Sequence, residues 1–167
     1  MLLGRAAARP AIGDRDAFGA WVDPHWATMA HLARRLAPPG EWEDVLQEAL
    51  GAAWRKRAQY DPGRGSARNW LLAVVADQAR KGHRRRRAFD VLEDGAVDDV
   101  RADLDLARAL RRLTARQRAA IELHYYLGLP VAEVAEVLGC SPGTVKSTLS
   151  DARARLRREL GEEYRHA

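Results

Sequence analysis

Cysteine is nearly absent from this chain. Cys140 is the only one among 167 residues, so no internal disulfide can form and a thiolate-bound metal is not expected. Long apolar runs are missing too. No stretch approaches the roughly 18 apolar residues of a membrane span, and residues 1–13 hold no apolar core of a signal peptide. We therefore expect a cytoplasmic protein.

Arrangements of residues that do chemistry are also missing. The five histidines are scattered and form no HExxH-like spacing. No glycine-rich phosphate loop follows a strand, and one carboxylate pair on a helix makes no active site without a pocket. The sequence argues against an enzyme, and it predicts no catalytic residue, no metal, no cofactor and no small-molecule substrate.

Arginine and alanine are abundant, whereas β-branched residues are sparse, which favours helices. Hydrophobic residues make up 47% of the chain and charged residues 31%, enough for a buried core and a charged surface. The net charge of +5 favours a polyanionic partner.

Helical patterns fill residues 14–87. Pro24, the segment 38–40 and the turn 61–65 interrupt them. We predict helices on both sides of Pro24, another over about 41–57, and one that Ser66 caps. Six of the eight residues 80–87 at the end of this last helix are Lys or Arg.

The composition then inverts. From Asp90 to Asp105 seven acidic residues stand against Arg101 alone. Such a segment cannot bury enough apolar surface to fold, so we predict a flexible acidic linker over residues 88–104. The predicted fold is all-α, with an N-terminal arm (1–13) and two small helical domains (14–87 and 105–162).

The residue pattern of the second domain predicts a helix-turn-helix. Thr114 and Gln117 form a capping box that opens a helix through to about residue 127. A short apolar helix follows from Val131, and Gly139 can end it in the left-handed conformation. Ser141 then caps a last helix, whose apolar stripe holds Val145, Leu149, Ala152 and Leu156.

The second helix of such a unit enters the major groove of DNA. Its outer face predicts groove contacts near the helix start and phosphate contacts farther along. The candidates are Ser141, Thr144, Lys146, Ser147, Ser150, Arg153 and Arg157. The alternative is a solvated polar face on an ordinary helix.

The first domain offers two further candidate surfaces. The basic run 80–87 can contact phosphates, and Tyr60, more than Trp70, can stack on unpaired bases. For Trp70 a core role fits at least as well. Asp44 and Glu48 are like-charged i,i+4 neighbours, which hints at a basic partner surface. Solvated surfaces are again the alternative.

These segments together resemble a known family. The blocks Asp44-Val45-Leu46-Gln47-Glu48, Tyr60-Asp61-Pro62, Gly65-Ser66, Trp70-Leu71, the arginine run and Gly143-Thr144-Val145-Lys146-Ser147 occur in this order in bacterial sigma factors. The chain is similar, over about residues 16–160, to the extracytoplasmic-function (ECF) group of the sigma-70 family.

The resemblance implies a transcription initiation factor with two DNA-contacting domains. The first would be region 2, which docks on the β′ clamp of core RNA polymerase through Asp44, Gln47 and Glu48. Its melting segment would run from Tyr60 to Trp70, and its −10-reading helix would carry Asp77, Lys81, Arg84 and Arg85. The second would be region 4, which reads the −35 element of promoter DNA and touches the β flap.

The resemblance also implies that the linker lies near the RNA exit path and that an anti-sigma factor holds the free protein. Asp77 stands where the family usually has Asn, and Lys81 where it commonly has Asp, so the promoter sequence does not follow from the resemblance. Two other functions remain as alternatives: a dimeric helix-turn-helix repressor, or an adaptor that docks only on a protein.

Overall fold

The computed structural model of this chain describes residues 12–90 and 103–163, which form helices joined by short turns and contain no strand. The first lobe comprises α1 (Arg15–Val22), α2 (Trp26–Leu36), α3 (Trp42–Lys56) and α4 (Ala67–Asp90). The second lobe comprises α5 (Asp103–Arg112), α6 (Ala115–Ile121), α7 (Val131–Leu138) and α8 (Pro142–Glu163). The all-α prediction is confirmed.

Local chemistry sets the helix ends, as the sequence predicted. Pro24 lies in a single 3₁₀ turn between α1 and α2. The hydroxyl of Ser66 accepts a hydrogen bond from the backbone N–H of Asn69 at 3.1 Å. Thr114 and Gln117 form both halves of a capping box at the start of α6. Each cap satisfies backbone donors that the first turn leaves free.

Two helices extend into the predicted linker, 88–104. Helix α4 continues to Asp90, and α5 begins at Asp103. Residues 91–102, with most of the acidic run, lie outside the described residues, as does 1–11 of the N-terminal arm.

The predicted helix over 115–127 changes type before it ends. Helix α6 stops at Ile121, and Glu122–Tyr126 form a π-helical turn, closed by a 2.9 Å hydrogen bond from the N–H of Leu127 to the carbonyl of Glu122. Gly128 ends the turn with a φ of +67°. Short π-helical segments often mark functional positions, and this one faces the first lobe.

The two lobes pack against each other through a continuous apolar core. Helix α2 contacts α6 and the π turn, while α4 contacts α7. Buried side chains from both lobes, among them Leu32, Leu71, Leu123 and Val134, belong to one cluster. The sequence left the arrangement of the domains open, and the structure shows them closed on each other.

Candidate nucleic-acid interface

Helices α7 and α8 form the predicted helix-turn-helix. Gly139 lies in the left-handed region with φ +60°, and the N–H of Cys140 donates to the carbonyl of Ala135 at 3.0 Å. The hydroxyl of Ser141 accepts from the N–H of Thr144 at 3.1 Å, and α8 begins at Pro142. This turn sets the direction of α8 relative to α7.

Helix α8 is buried on one side and exposed on the other. Val145, Leu149 and Ala152 are at most 5% exposed and hold α8 against the rest of the lobe. All seven residues predicted to contact the −35 element are exposed: Ser141, Thr144, Lys146, Ser147, Ser150, Arg153 and Arg157. The face can therefore reach a ligand without any rearrangement of its own lobe.

Local hydrogen bonds occupy the hydroxyls at the start of this face. The Ser141 and Thr144 hydroxyl oxygens lie 2.8 Å apart, and the Ser147 hydroxyl donates to the carbonyl of Thr144 at 3.0 Å. Lys146 by contrast has no hydrogen bond or ion pair with any described residue. The Lys146 ammonium is thus accessible to a ligand without loss of a contact to another described residue.

An aromatic cluster lies where the melting segment was predicted. The rings of Trp21, Tyr60 and Trp70 have centroids 5.2–5.8 Å apart. Tyr60 is only 6% exposed, and burial, helped by Asp61, raises the pKa of its hydroxyl. Contrary to the expectation of an exposed stacking ring at Tyr60, that ring is packed inside, and the half-buried Trp70 is the more accessible of the two.

The basic end of α4 holds its own counter-charge. Asp77 pairs with Arg80 and with Lys81, each at 2.7 Å. Burial tends to raise the pKa of Asp77, but the hydrogen bonds from Lys81 and Arg80 outweigh burial and hold the pKa below its usual value. Asp77 and Lys81 thus form a linked pair on one turn of the predicted −10-reading helix.

Farther along α4, Arg84 and Arg85 are both exposed. Arg84 has no ion pair with a described residue, whereas Arg85 lies 3.0 Å from the carboxylate of Glu48 on α3. Glu48 was predicted as a polymerase contact and Arg85 as a DNA contact. This ion pair therefore connects the predicted polymerase surface on α3 with the predicted DNA surface on α4.

The predicted polymerase surface lies on α3. Asp44 and Gln47 are exposed, and Glu48 is half-buried beside Arg85. The cost of the like-charged pair Asp44 and Glu48 is therefore offset within the chain by an arginine of α4. Asp44 and Gln47 are left accessible for a partner.

Sequence patterns did not reveal the residues that join the lobes. Glu122 in the π turn is 2% exposed, and one of its oxygens accepts from Arg35 of α2 at 2.9 Å. That bond raises the pKa of Arg35. The other Glu122 oxygen has no hydrogen bond, and neither has Nε2 of His31, which lies 4.0 Å away.

A second inter-lobe contact lies beside the aromatic cluster. The side-chain amide of Asn69 on α4 donates to Glu133 at 3.1 Å and to Glu136 at 3.2 Å, both on α7. Nearby, Arg68 donates to the backbone carbonyl of Leu127 at 3.2 Å. These partners lie about sixty residues apart in sequence, so no local pattern could have indicated them.

Comparison with known families matches both lobes. Residues 15–89 match the family described as Sigma-70 region 2, and residues 103–156 match Sigma-70, region 4. The chain is 35% identical over 164 residues to the ECF RNA polymerase sigma factor SigK of Mycolicibacterium vanbaalenii, covering 89% of this chain and 84% of that protein.

This chain belongs to the ECF sigma factors of the sigma-70 family. The sigma factor is also 35% identical to SigL of Mycobacterium tuberculosis, over 95% of this chain and 94% of that one. Its function is therefore to direct RNA polymerase to promoters. Neither a free-standing repressor nor a docking adaptor is favoured.

Solved structures show the same architecture. CnrH, in complex with the cytosolic domain of CnrY, is 33% identical and superposes with a TM-score of 0.69 over 94% of this chain and 96% of CnrH. RpoE of Bartonella quintana, in complex with the anti-sigma factor NepR, is 26% identical with a TM-score of 0.71, over 88% of this chain and 98% of that one.

Among residues 12–90 and 103–163, no group of three or more His, Cys, Asp or Glu side chains could hold a metal ion. None of the helices described is long and apolar enough to cross a membrane.

Proposed function

We propose that the two lobes of this sigma factor divide promoter recognition between them. Region 2, residues 14–87, binds core polymerase and opens the −10 element, and region 4, residues 105–162, reads the −35 element. The single observation that carries this assignment is the exposed face of α8, on which all seven predicted −35 contacts are accessible. Opening the duplex requires binding energy but no catalytic residue.

Polymerase binding is assigned to α3. Asp44, Gln47 and Glu48 offer acidic and amide groups that suit a basic surface on the β′ clamp, while region 4 touches the β flap. Trp70, Lys81, Arg84 and Arg85, with Tyr60 and Asp77, form the −10 surface. Tyr60 acts there by supporting Trp70 from inside the cluster, because its own ring is buried.

The sigma factor acts in the cytoplasm, where core polymerase and promoter DNA are found. The anti-sigma factor NepR, bound to RpoE of Bartonella quintana, supports an anti-sigma factor as a third partner. Such a partner would compete with polymerase for the free chain.

Run-off transcription with core polymerase and a library of genomic promoter fragments tests the function. We expect promoter-specific transcripts that require the chain. Absence of any specific transcript would contradict the assignment.

The polymerase surface has a matched pair of variants on α3. Glu43 and Asp44 are adjacent, exposed and both in the first turn. We expect Asp44→Lys to weaken binding to core polymerase about tenfold, and Glu43→Lys to change it less than about twofold. Equal effects of the two substitutions on the dissociation constant would show that only net charge matters.

A further inference from the structure

Helix α8 carries an unpaired carboxylate on the face that the proposed function turns toward DNA. Asp151 is exposed. It lies four residues after Ser147 and seven after Thr144, so the three side chains form a stripe along the helix. Asp151 has no hydrogen bond or ion pair with any residue that the structure describes. Its charge is therefore available to a ligand.

Three cations of α8 line a different flank of the same exposed face. Lys146, Arg153 and Arg157 follow one another at intervals of seven and four residues, about 140° around the axis from Asp151. Arg155 lies four residues after Asp151, a spacing at which ion pairs form on a helix, but no ion pair joins these two described residues. The carboxylate and the three cations thus face different parts of a ligand.

A carboxylate on this face is limited in what it can contact. Duplex DNA carries a negative charge about every 1.7 Å along its axis, so the phosphates that attract the cations repel Asp151. An ionised carboxylate is a hydrogen-bond acceptor only. Its favourable partners in the major groove are therefore the base amino groups, N4 of cytosine and N6 of adenine.

Cytosine suits this carboxylate better than adenine does. Adenine presents the acceptor N7 beside its N6 amino group, whereas cytosine presents its amino group without an adjoining acceptor. The lone pairs of N7 oppose those of the carboxylate. Guanine and thymine present acceptors in the major groove, so they offer the carboxylate no hydrogen bond.

The helix itself already engages the other polar groups of this stripe. The hydroxyl of Ser147 donates to the carbonyl of Thr144 at 3.0 Å, and the Thr144 hydroxyl oxygen lies 2.8 Å from that of Ser141. Asp151 lies about 6 Å along the helix axis from Ser147, roughly two base-pair steps. Asp151 is therefore the acceptor on the stripe that can bind a neighbouring base without exchanging a bond within α8.

We propose that Asp151 determines promoter specificity, because its carboxylate selects a cytosine in the −35 element by accepting a hydrogen bond from the N4 amino group. The proposal rests on the assignment of α8 to the −35 element. It names the base at one position of that element. It also gives a reason for an anionic side chain on a face that binds a polyanion.

Substitution by the isosteric amide changes the preferred base instead of only removing a contact. An Asn side chain pairs with N6 and N7 of adenine, so Asp151→Asn should move the preference from cytosine to adenine at the same position. Asp151→Ala should leave less than about a twofold preference there, because it can make neither contact. The matched control is Asp16→Asn in α1, where an exposed carboxylate of region 2 loses the same charge.

The experiment uses the holoenzyme, which is core polymerase with the full chain, and a promoter that it transcribes. The −35 element of this promoter is randomised, and the templates that the holoenzyme retains are sequenced. We expect the unaltered chain and Asp16→Asn to favour cytosine about tenfold at one position, and Asp151→Asn to favour adenine there. Circular dichroism checks that each variant is folded.

Two results would overturn the role of Asp151. One is a base profile that both Asp151→Asn and Asp151→Ala leave unchanged. The other is an equal gain in binding to every sequence, which would show that the carboxylate only repels phosphates. Specific run-off transcription by the unaltered chain would in either case leave the proposed function standing, whereas its absence would remove the function and this proposal together.

Discussion

Removal of Arg35 gives the sharpest test of how the lobes are held. The Arg35 guanidinium donates a hydrogen bond to a Glu122 carboxylate oxygen at 2.9 Å, and the Glu122 side chain is 3% exposed. Arg35→Ala leaves that carboxylate buried without its hydrogen-bonded cation. Breaking a fully buried pair typically costs about 3–5 kcal/mol, and because the Arg35 side chain is 41% exposed we take the lower end, about 3 kcal/mol.

The position of Glu122 determines where this cost appears. Because the π turn lies between the lobes, separation of the lobes returns the carboxylate to water without unfolding either domain. A cost of about 3 kcal/mol shifts an equilibrium roughly 100-fold. A chain that is closed about 99% of the time would become about half open.

Pulsed electron paramagnetic resonance between spin labels at Lys56 and Arg158 measures the separation, with Cys140→Ser to remove the native thiol. Both label sites are exposed and lie on different lobes. The control is Arg34→Ala on the same helix, because Arg34 stacks on Trp42 at 4.1 Å and pairs with no carboxylate of residues 12–90 or 103–163. We expect Arg35→Ala to add a long-distance population that Arg34→Ala lacks.

A double substitution provides the rescue. An apolar residue in place of the stranded charge is often neutral or stabilising, so Arg35→Ala/Glu122→Leu should restore the short distance. Identical distance distributions for Arg35→Ala and Arg34→Ala would refute the reasoning. A fall in melting temperature without lobe opening would refute it as well.

Three other predictions follow from single residues. Gly139→Ala should lower the free energy of unfolding by about 1–2 kcal/mol, because φ is +60° at this position although no atom lies within 4 Å of an added Cβ. The control is Gly19→Ala inside α1, which should raise the free energy of unfolding by about 0.5–1 kcal/mol in the same thermal melts. A melting temperature that Gly139→Ala leaves unchanged would contradict this. Because the pKa of Asp77 is lowered in the folded chain, its carboxylate stabilises the fold above about pH 4, and this effect is lost as the pH falls through the folded-state pKa. In urea melts, the destabilisation by Asp77→Asn should therefore become smaller in acid. A destabilisation that does not change with pH would contradict a stabilising role of the ionised carboxylate. Lys146→Ala should weaken −35 binding and alter the base preference; an unchanged preference across −35 variants would reject a groove contact.

Local signals made most of the helix ends predictable. Ser66, Thr114, Gly139 and Ser141 each act on backbone within three or four residues, so their chemistry can be read along the chain. The exposed face of α8 was predictable in the same way, because its apolar residues recur with the 3.6-residue period of a helix. The π turn was missed, because a helix that changes type within one stretch leaves the apolar spacing almost unaltered.

Long-range packing was not predictable from the sequence. Arg35 and Glu122 lie 87 positions apart, and neither residue stands out from the other arginines and glutamates of the chain. Tyr60 is buried because Trp21 and Trp70, from two other segments, close around it. The positions of the −10 candidates could be taken from the family resemblance, but their exposure depends on how the lobes close.

The distance between Lys56 and Arg158 in the unaltered chain tests the central claim most directly. It should be measured first in the free sigma factor and then in its complex with core polymerase and promoter DNA. A single short distance in the free chain and a much longer one in the complex is the predicted result. The same distance in both states would contradict a closed chain that must open to act.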